Sequence, residues 1–134
     1  MSNVEIYYRY VNNILNAGNV EMLNEIFAFR YLEHQKGVYP PTIEGLERWI
    51  SDLHSSFKDL HATVYEVQDS KGILFVRGLL EGTNVKAYSG IEPAGKHFVL
   101  DTIDEYRFHD SKIVEHWGVF DRFTLLQQIK MNYV

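Results

Sequence analysis

Apolar residues near the start of the chain recur at three- and four-residue spacing. Val4, Tyr7, Tyr8, Val11, Ile14 and Leu15 fall on one side of a helix running from Val4 to Asn16. Gly18 and Asn19 end it, and Asn19 is placed to cap a short second helix through Met22, Leu23, Ile26 and Phe27. The stretch YLEHQKGVYPPT reads as irregular, broken by Gly37 and by the pair Pro40 and Pro41. A third helix covers about Ile43 to Phe57, with Leu46, Trp49, Ile50 and Leu53 on one side.

After Asp59 the period changes to two. His61 to Gln68 alternates as a strand, DSKG makes a turn, and Ile73 to Glu81 follows with Leu74, Val76, Gly78 and Leu80 on one face. A looser segment holds Gly82, Gly90, Pro93 and Gly95. Strands are predicted again at about His97 to Phe108 and Lys112 to Phe120, and the tail TLLQQI is either a strand end or a helical turn. Helices followed by an antiparallel meander predict an α+β domain, with the helices covering one face of a curved, mostly antiparallel sheet.

Composition narrows the classes. The chain has 134 residues, the size of one domain with a real core, so a single unit over 1–134 is expected. It contains no cysteine, which removes disulfides, thiolate catalysis and cysteine-ligated zinc. A formal charge of -5 without a lysine or arginine cluster argues against a nucleic-acid partner. No apolar run is long enough to cross a bilayer, and MSNVEIYYRYV lacks the pattern of a secretory leader, so a cytoplasmic location is expected. The scattered glycines form neither a phosphate loop nor a dinucleotide fingerprint, and no cofactor is expected. Nine tyrosines and eight phenylalanines could fill a core or line an apolar pocket.

The chemistry concentrates in TIDEYRFHDSKIVEHWGVFD, residues 102–121. In the first strand of this hairpin Leu100, Thr102, Asp104, Tyr106 and Phe108 share a side; in the return strand Val114, His116, Gly118 and Phe120 do so. A turn centred on Ser111 sets Tyr106 opposite His116 and Asp104 opposite Gly118. Asp104 and His116 then stand on a mostly apolar face, where burial raises a carboxyl pKa and makes an acid a proton shuttle near neutral pH. The competing reading makes Asp104 an exposed strand acid and His116 a satisfied structural histidine. Asp121 ends the strand, either as an acid of the site or as a cap on the following turn, and Trp117 belongs to the opposite face.

RFHDSKIVEHWGVFD at 107–121, LLQQI at 125–129, GLLEGT at 78–83, IEPAGK at 91–96 and LHSSFKDLHATV at 53–64 together carry a resemblance. Across nearly its whole length the chain resembles the SnoaL-like polyketide cyclases, a branch of the NTF2-like superfamily. That resemblance implies a cone of N-terminal helices closing over a strongly bent sheet, an interior pocket, and a homodimer. It also implies cofactor-free aldol ring closure, with an aspartate and a histidine exchanging protons. The family histidine position is matched here by Asp104, and the position of the catalytic aspartate, after the tryptophan of EHW, is Gly118. Where the family often has a histidine after GT, this chain has Asn84.

Asp104 is therefore the expected base, with His116, His34 or Tyr106 as its donor, and Tyr106, Gly118, Phe120, Asn84 and Trp49 as pocket walls. The substrate class is a small apolar or aromatic carbonyl compound, undergoing cyclisation, isomerisation or dehydration. Two other functions fit the same residues: a binding domain that uses the pocket without chemistry, and a structural homodimer with a filled interior. His34, Asp104 and His116 have no diagnostic metal-ligand spacing, and no metal is expected.

Overall fold

A computed structural model describes residues 1–130 of the protein; the last four residues of the domain expected over 1–134 lie outside the described residues. Helix α1 (Asn3–Tyr10) is capped by the Ser2 hydroxyl, which accepts from the Glu5 amide at 3.1 Å, and continues as a wider π-helical segment over Val11–Asn16. That segment ends pinned to the sheet, because the Asn16 amide bonds the Ala62 amide at 2.7 Å and its carbonyl at 3.2 Å. The second helix is shorter than its periodicity predicts. A 3-10 turn at Val20–Met22 leads into α2 (Leu23–Ile26), and the Asn19 side chain makes no cap hydrogen bond.

Phe27 does not belong to that helix. It opens strand β1 (Phe27–Glu33), so the YLE of the stretch read as irregular is extended and paired. Helix α3 (Ile43–Ser56) follows, then β2 (Phe57–Ser70), β3 (Ile73–Asn84), β4 (His97–His109) and β5 (Lys112–Gly118), and the TLLQQI tail lies in a helix, α4 (Arg122–Ile129). The sheet order is β1-β5-β4-β3-β2, antiparallel throughout except for the parallel pair β1 and β5. That one parallel pairing is what carries β1 beside the hairpin.

Register in the hairpin comes from two opposing irregularities. Asp110 and Ser111 form the turn with φ of 48° and 62°, the paired left-handed geometry that suits a two-residue connection. His109 is opposite Lys112 and Phe108 opposite Ile113, half a residue away from a turn centred on Ser111. Val114 is then an extra residue: Arg107 pairs with Glu115, and from there Tyr106 faces His116 and Asp104 faces Gly118, as the sequence predicts. The bulge also corrects the face of the return strand. Ile113, fully buried, takes the inward place that alternation assigned to Val114.

Helices cover the inner face of this sheet in two clusters. Ile6, Tyr7, Tyr10 and Ile14 of the N-terminal helix pack with Ile50 of α3 on Leu74, Val76 and Tyr106. Leu53, Leu125 and Ile129 pack with Phe57, Phe98 and Leu100. No helix among the described residues is long and apolar enough to cross a membrane.

Left-handed backbone at Ser111 is strained for a residue with a Cβ. Ser111→Gly should therefore raise the unfolding free energy by about 1 kcal/mol. A urea titration with an unchanged slope checks it.

Candidate functional site

Three strands bring one histidine between two carboxylates. His116 lies on β5 beside Glu33 of β1, its partner in the parallel register, and Tyr106 of β4, its antiparallel partner. Its Nδ1 is 2.6 Å from Glu33 Oε2 and its Nε2 is 2.7 Å from Asp104 Oδ1. With a carboxylate at each ring nitrogen, both must carry a hydrogen, so the ring is an imidazolium donating in both directions. The Tyr106 ring stacks on it at 4.4 Å between centroids.

Glu33 is the best-held member. Its side chain is fully buried, accepts from the Tyr31 hydroxyl at 2.6 Å, and accepts from the Gln35 amide at 3.0 Å. A buried carboxylate is tolerable only when such donors replace its water. Asp104 is more open, with 19% of its side chain accessible, and it borders the interior cavity. Burial by itself pushes the His116 pKa down, but the hydrogen bonds to Asp104 and Glu33 outweigh it and raise the value from 6.5 to about 9. Tyr7, Tyr10, Tyr31 and Tyr106 are shifted upward chiefly by burial, so each stays a neutral phenol.

Gly118 makes this contact possible. A Cβ built there meets Asp104 Oδ1 head-on and comes within 2.9 Å of His116 Nε2 and 3.1 Å of Gln35 Oε1. The volume in which a side chain at 118 would start is thus occupied by the Asp104–His116 pair. A side chain at 118 would require the Asp104 carboxylate to leave its place against His116.

The cavity beside Asp104 has a free volume of about 70 Å³, room for a few waters. Tyr7, Tyr10, Trp49, Leu80, Tyr106 and Phe120 supply its apolar wall, with Asp104, His116 and Gln35 at its polar end. Trp49 and Phe120 meet edge to face at 5.3 Å.

Of the residues singled out from the sequence, Asp104, His116, Tyr106, Trp49 and Phe120 come together around this cavity. His34 does not join them. Its ring is on the other face of the sheet, stacked at 4.6 Å on Trp117 and bonded to Glu115 at 2.9 Å. Asn84 is also outside the cavity wall: fully buried, it donates to the Lys86 carbonyl at 2.7 Å and to the Ser56 carbonyl at 3.4 Å, tying down the end of β3. Asp121 caps α4 by accepting from the Thr124 amide at 3.0 Å, a bond that lowers its pKa.

Sequence reasoning missed Glu33, Tyr31 and Gln35, since all three depend on β1. Aromatic residues at 27, 29 and 31 were the available signal, but Phe27 is buried while Phe29 is 97% exposed, because the pairing of β1 shifts between Phe27 and Leu32.

An α+β domain whose inner sheet face carries a buried acid–histidine cluster is the class that fold and site define. The family model of the SnoaL-like polyketide cyclases matches residues 5–129, and the chain belongs to that family. Among solved structures it is similar to TsrD from Streptomyces laurentii, at 23% identity over 95% of this chain and 94% of that one, with a TM-score of 0.84. IdmH from Streptomyces antibioticus is 26% identical over 96% of this chain and 98% of its own, with a TM-score of 0.84. A SnoaL-like polyketide cyclase from Agrobacterium tumefaciens shares 17% identity over 96% and 98% of the two chains, with a TM-score of 0.78. No curated protein matches the chain.

A histidine pKa raised by folding stabilises the protein fully below its unfolded value and loses that contribution as pH rises through the folded one. Between pH 6.5 and about 9 the His116 cluster should therefore cost the wild type about 3 kcal/mol of stability. Chemical denaturation at both pH values should show the loss in the wild type and not in His116→Gln. Gly118→Ala should break the Asp104–His116 bond, and an NMR titration should then find the His116 midpoint well below about 9.

Proposed function

We propose that the protein is an acid–base enzyme of the polyketide-cyclase type, acting on a small apolar or aromatic carbonyl compound at the Asp104 end of the interior cavity. The observation that carries this reading is the Glu33–His116–Asp104 chain of hydrogen bonds, with its only open carboxylate at the cavity wall. Removing a proton from carbon next to a carbonyl needs a fixed base within reach of that carbon. Asp104 is the base. One of its oxygens is held by His116, which leaves the other for the substrate C–H.

In the proposed step the proton moves from carbon to Asp104, and the electron pair of the broken C–H bond moves toward the carbonyl oxygen as an enolate. Closing a ring then joins the enolate carbon to a second carbonyl carbon of the same molecule, whose π pair moves to its oxygen, and the proton held on Asp104 passes to that alkoxide and regenerates the base. Returning the proton to carbon elsewhere gives isomerisation instead. His116 and Glu33 act as positioning residues: they hold the Asp104 carboxylate in one orientation and do not touch the substrate. The cavity of about 70 Å³ is smaller than an ordinary ligand pocket of roughly 300 Å³ or more, so binding a carbonyl compound there requires part of its aromatic wall to move.

A binding domain without turnover is the second reading, and Gly118 favours it, since the position that carries the family's catalytic aspartate has no side chain. Deuterium exchange separates the two. Wild type should speed exchange of the protons at C1 of 2-tetralone in D2O above the buffer rate. Asp104→Asn should remove on the order of 100-fold of that rate and leave binding within about two-fold. Equal exchange by both proteins would sink the catalytic reading.

A further inference from the structure

Gln35 has no part in the chemistry described so far, yet it is the unusual polar group of the cavity. It is 7% exposed, borders the cavity beside Asp104 and His116, and its amide nitrogen Nε2 is buried without a hydrogen-bond partner. A buried N–H that finds no acceptor is expensive, on the order of 1–3 kcal/mol, and uncommon in a folded protein. The rest of the residue is firmly held. The Gln35 amide donates to Glu33 Oε2 at 3.0 Å, and the preceding His34 amide donates to the His116 carbonyl at 2.9 Å. The backbone on which this side chain stands is therefore locked to the same cluster that orients Asp104.

Its position relative to the base is defined by a shared point. The site of a missing Cβ at Gly118 is in contact with Asp104 Oδ1, 2.9 Å from His116 Nε2 and 3.1 Å from Gln35 Oε1. The Gln35 carboxamide and the Asp104 carboxylate thus flank one small volume. What completes Nε2 must be a hydrogen-bond acceptor, because the amide nitrogen can only donate.

Of the donor candidates read from the sequence, the two histidines are already committed, and the Tyr106 hydroxyl on the cavity wall is the rival that Gln35→Met separates. Both nitrogens of His116 are bonded to carboxylates, and the His34 ring lies on the far face of the sheet. We infer that Gln35 is the residue that receives the ligand's oxygen, donating from Nε2 to a carbonyl or enolate oxygen while Asp104 faces the adjacent carbon. This inference rests on the acid–base reading of the same cavity and deepens it. The ligand class becomes a compound whose carbonyl oxygen enters first, with its apolar body against Trp49 and Phe120. Charge that builds on the oxygen as the proton leaves is met by a donor fixed in advance.

Two probes of the same shape test it: 2-tetralone, and the hydrocarbon tetralin, which lacks the oxygen. Dissociation constants for both are measured by ligand-observed NMR on wild type and on Gln35→Met, which keeps the chain length and removes the amide. The expected result is about five-fold weaker binding of 2-tetralone, the worth of one neutral hydrogen bond, with tetralin unchanged. Equal changes for both probes would make Gln35 a packing residue and overturn the inference. So would unchanged binding of 2-tetralone, or a wild type that binds tetralin and not the ketone. Should Gln35→Met fail to fold, Gln35→Leu reads the same contrast. Proton exchange reports on Asp104, and the preference for ketone over hydrocarbon reports on Gln35, so the two readings fail separately. A wild type that prefers 2-tetralone through Gln35 but never exchanges its protons keeps this inference and ends the catalytic one.

Discussion

The two hydrogen bonds of His116 constrain more of this protein than any other contact. A histidine that is 5% exposed and flanked by carboxylates at 2.6 and 2.7 Å is a buried charge system, and such systems hold only if every partner is present. Its three members come from β1, β5 and β4, so the order of those strands, the parallel pairing of β1 and the bulge at Val114 are all needed to assemble it. Tyr31 and the Gln35 amide then satisfy the remaining oxygen sites of Glu33. Loss of His116 leaves two carboxylates without the cation they share, which is far worse than never having built the cluster.

Space rather than charge explains the pattern at 104 and 118. By resemblance to its family, the chain would carry a histidine at the first position and an aspartate at the second. Here the carboxylate arises from β4 and the imidazole from His116 of β5, and the absence of a side chain at 118 leaves the room in which they meet. An acid and a histidine still face each other across the hairpin, but each hangs from a different backbone position. In this chain the identities at 104 and 118 are tied by one steric constraint, because the Asp104 carboxylate lies where a side chain at 118 would begin.

The two faces of the sheet separate two sets of titratable groups that look equivalent in the sequence. Inside, Asp104, His116 and Glu33 sit among tyrosines that burial keeps neutral. Outside, His34, Glu115, Arg107 and Trp117 form a second polar and aromatic set, with the Arg107 guanidinium 5.5 Å over the Trp117 ring. Glu115 and His116 are neighbours in the chain and point to opposite sides. The inner set adjoins a cavity walled by aromatic side chains, a low-dielectric setting for a weak acid or base, whereas His34 and Trp117 line a wider, more open hollow on the outer face that Asp104 also borders.

Local pattern determined a good deal. Spacing located the N-terminal helix, α3 and the four antiparallel strands, because those elements have one apolar face and one wet one, and the period records it. It also placed Asp104, Tyr106 and His116 on one side of the hairpin. What it could not record was β1, whose pairing is long-range and irregular, and with β1 went Glu33, Tyr31 and Gln35. Nor could it show that Val114 is an extra residue, that His34 faces outward, or that Gly118 is empty because Asp104 fills its place. Each of these depends on which distant strand lies alongside and on how much room is left between side chains. A sequence states which groups are present and how often they repeat; contact across 83 residues between His116 and Glu33 is decided only when the strands come together.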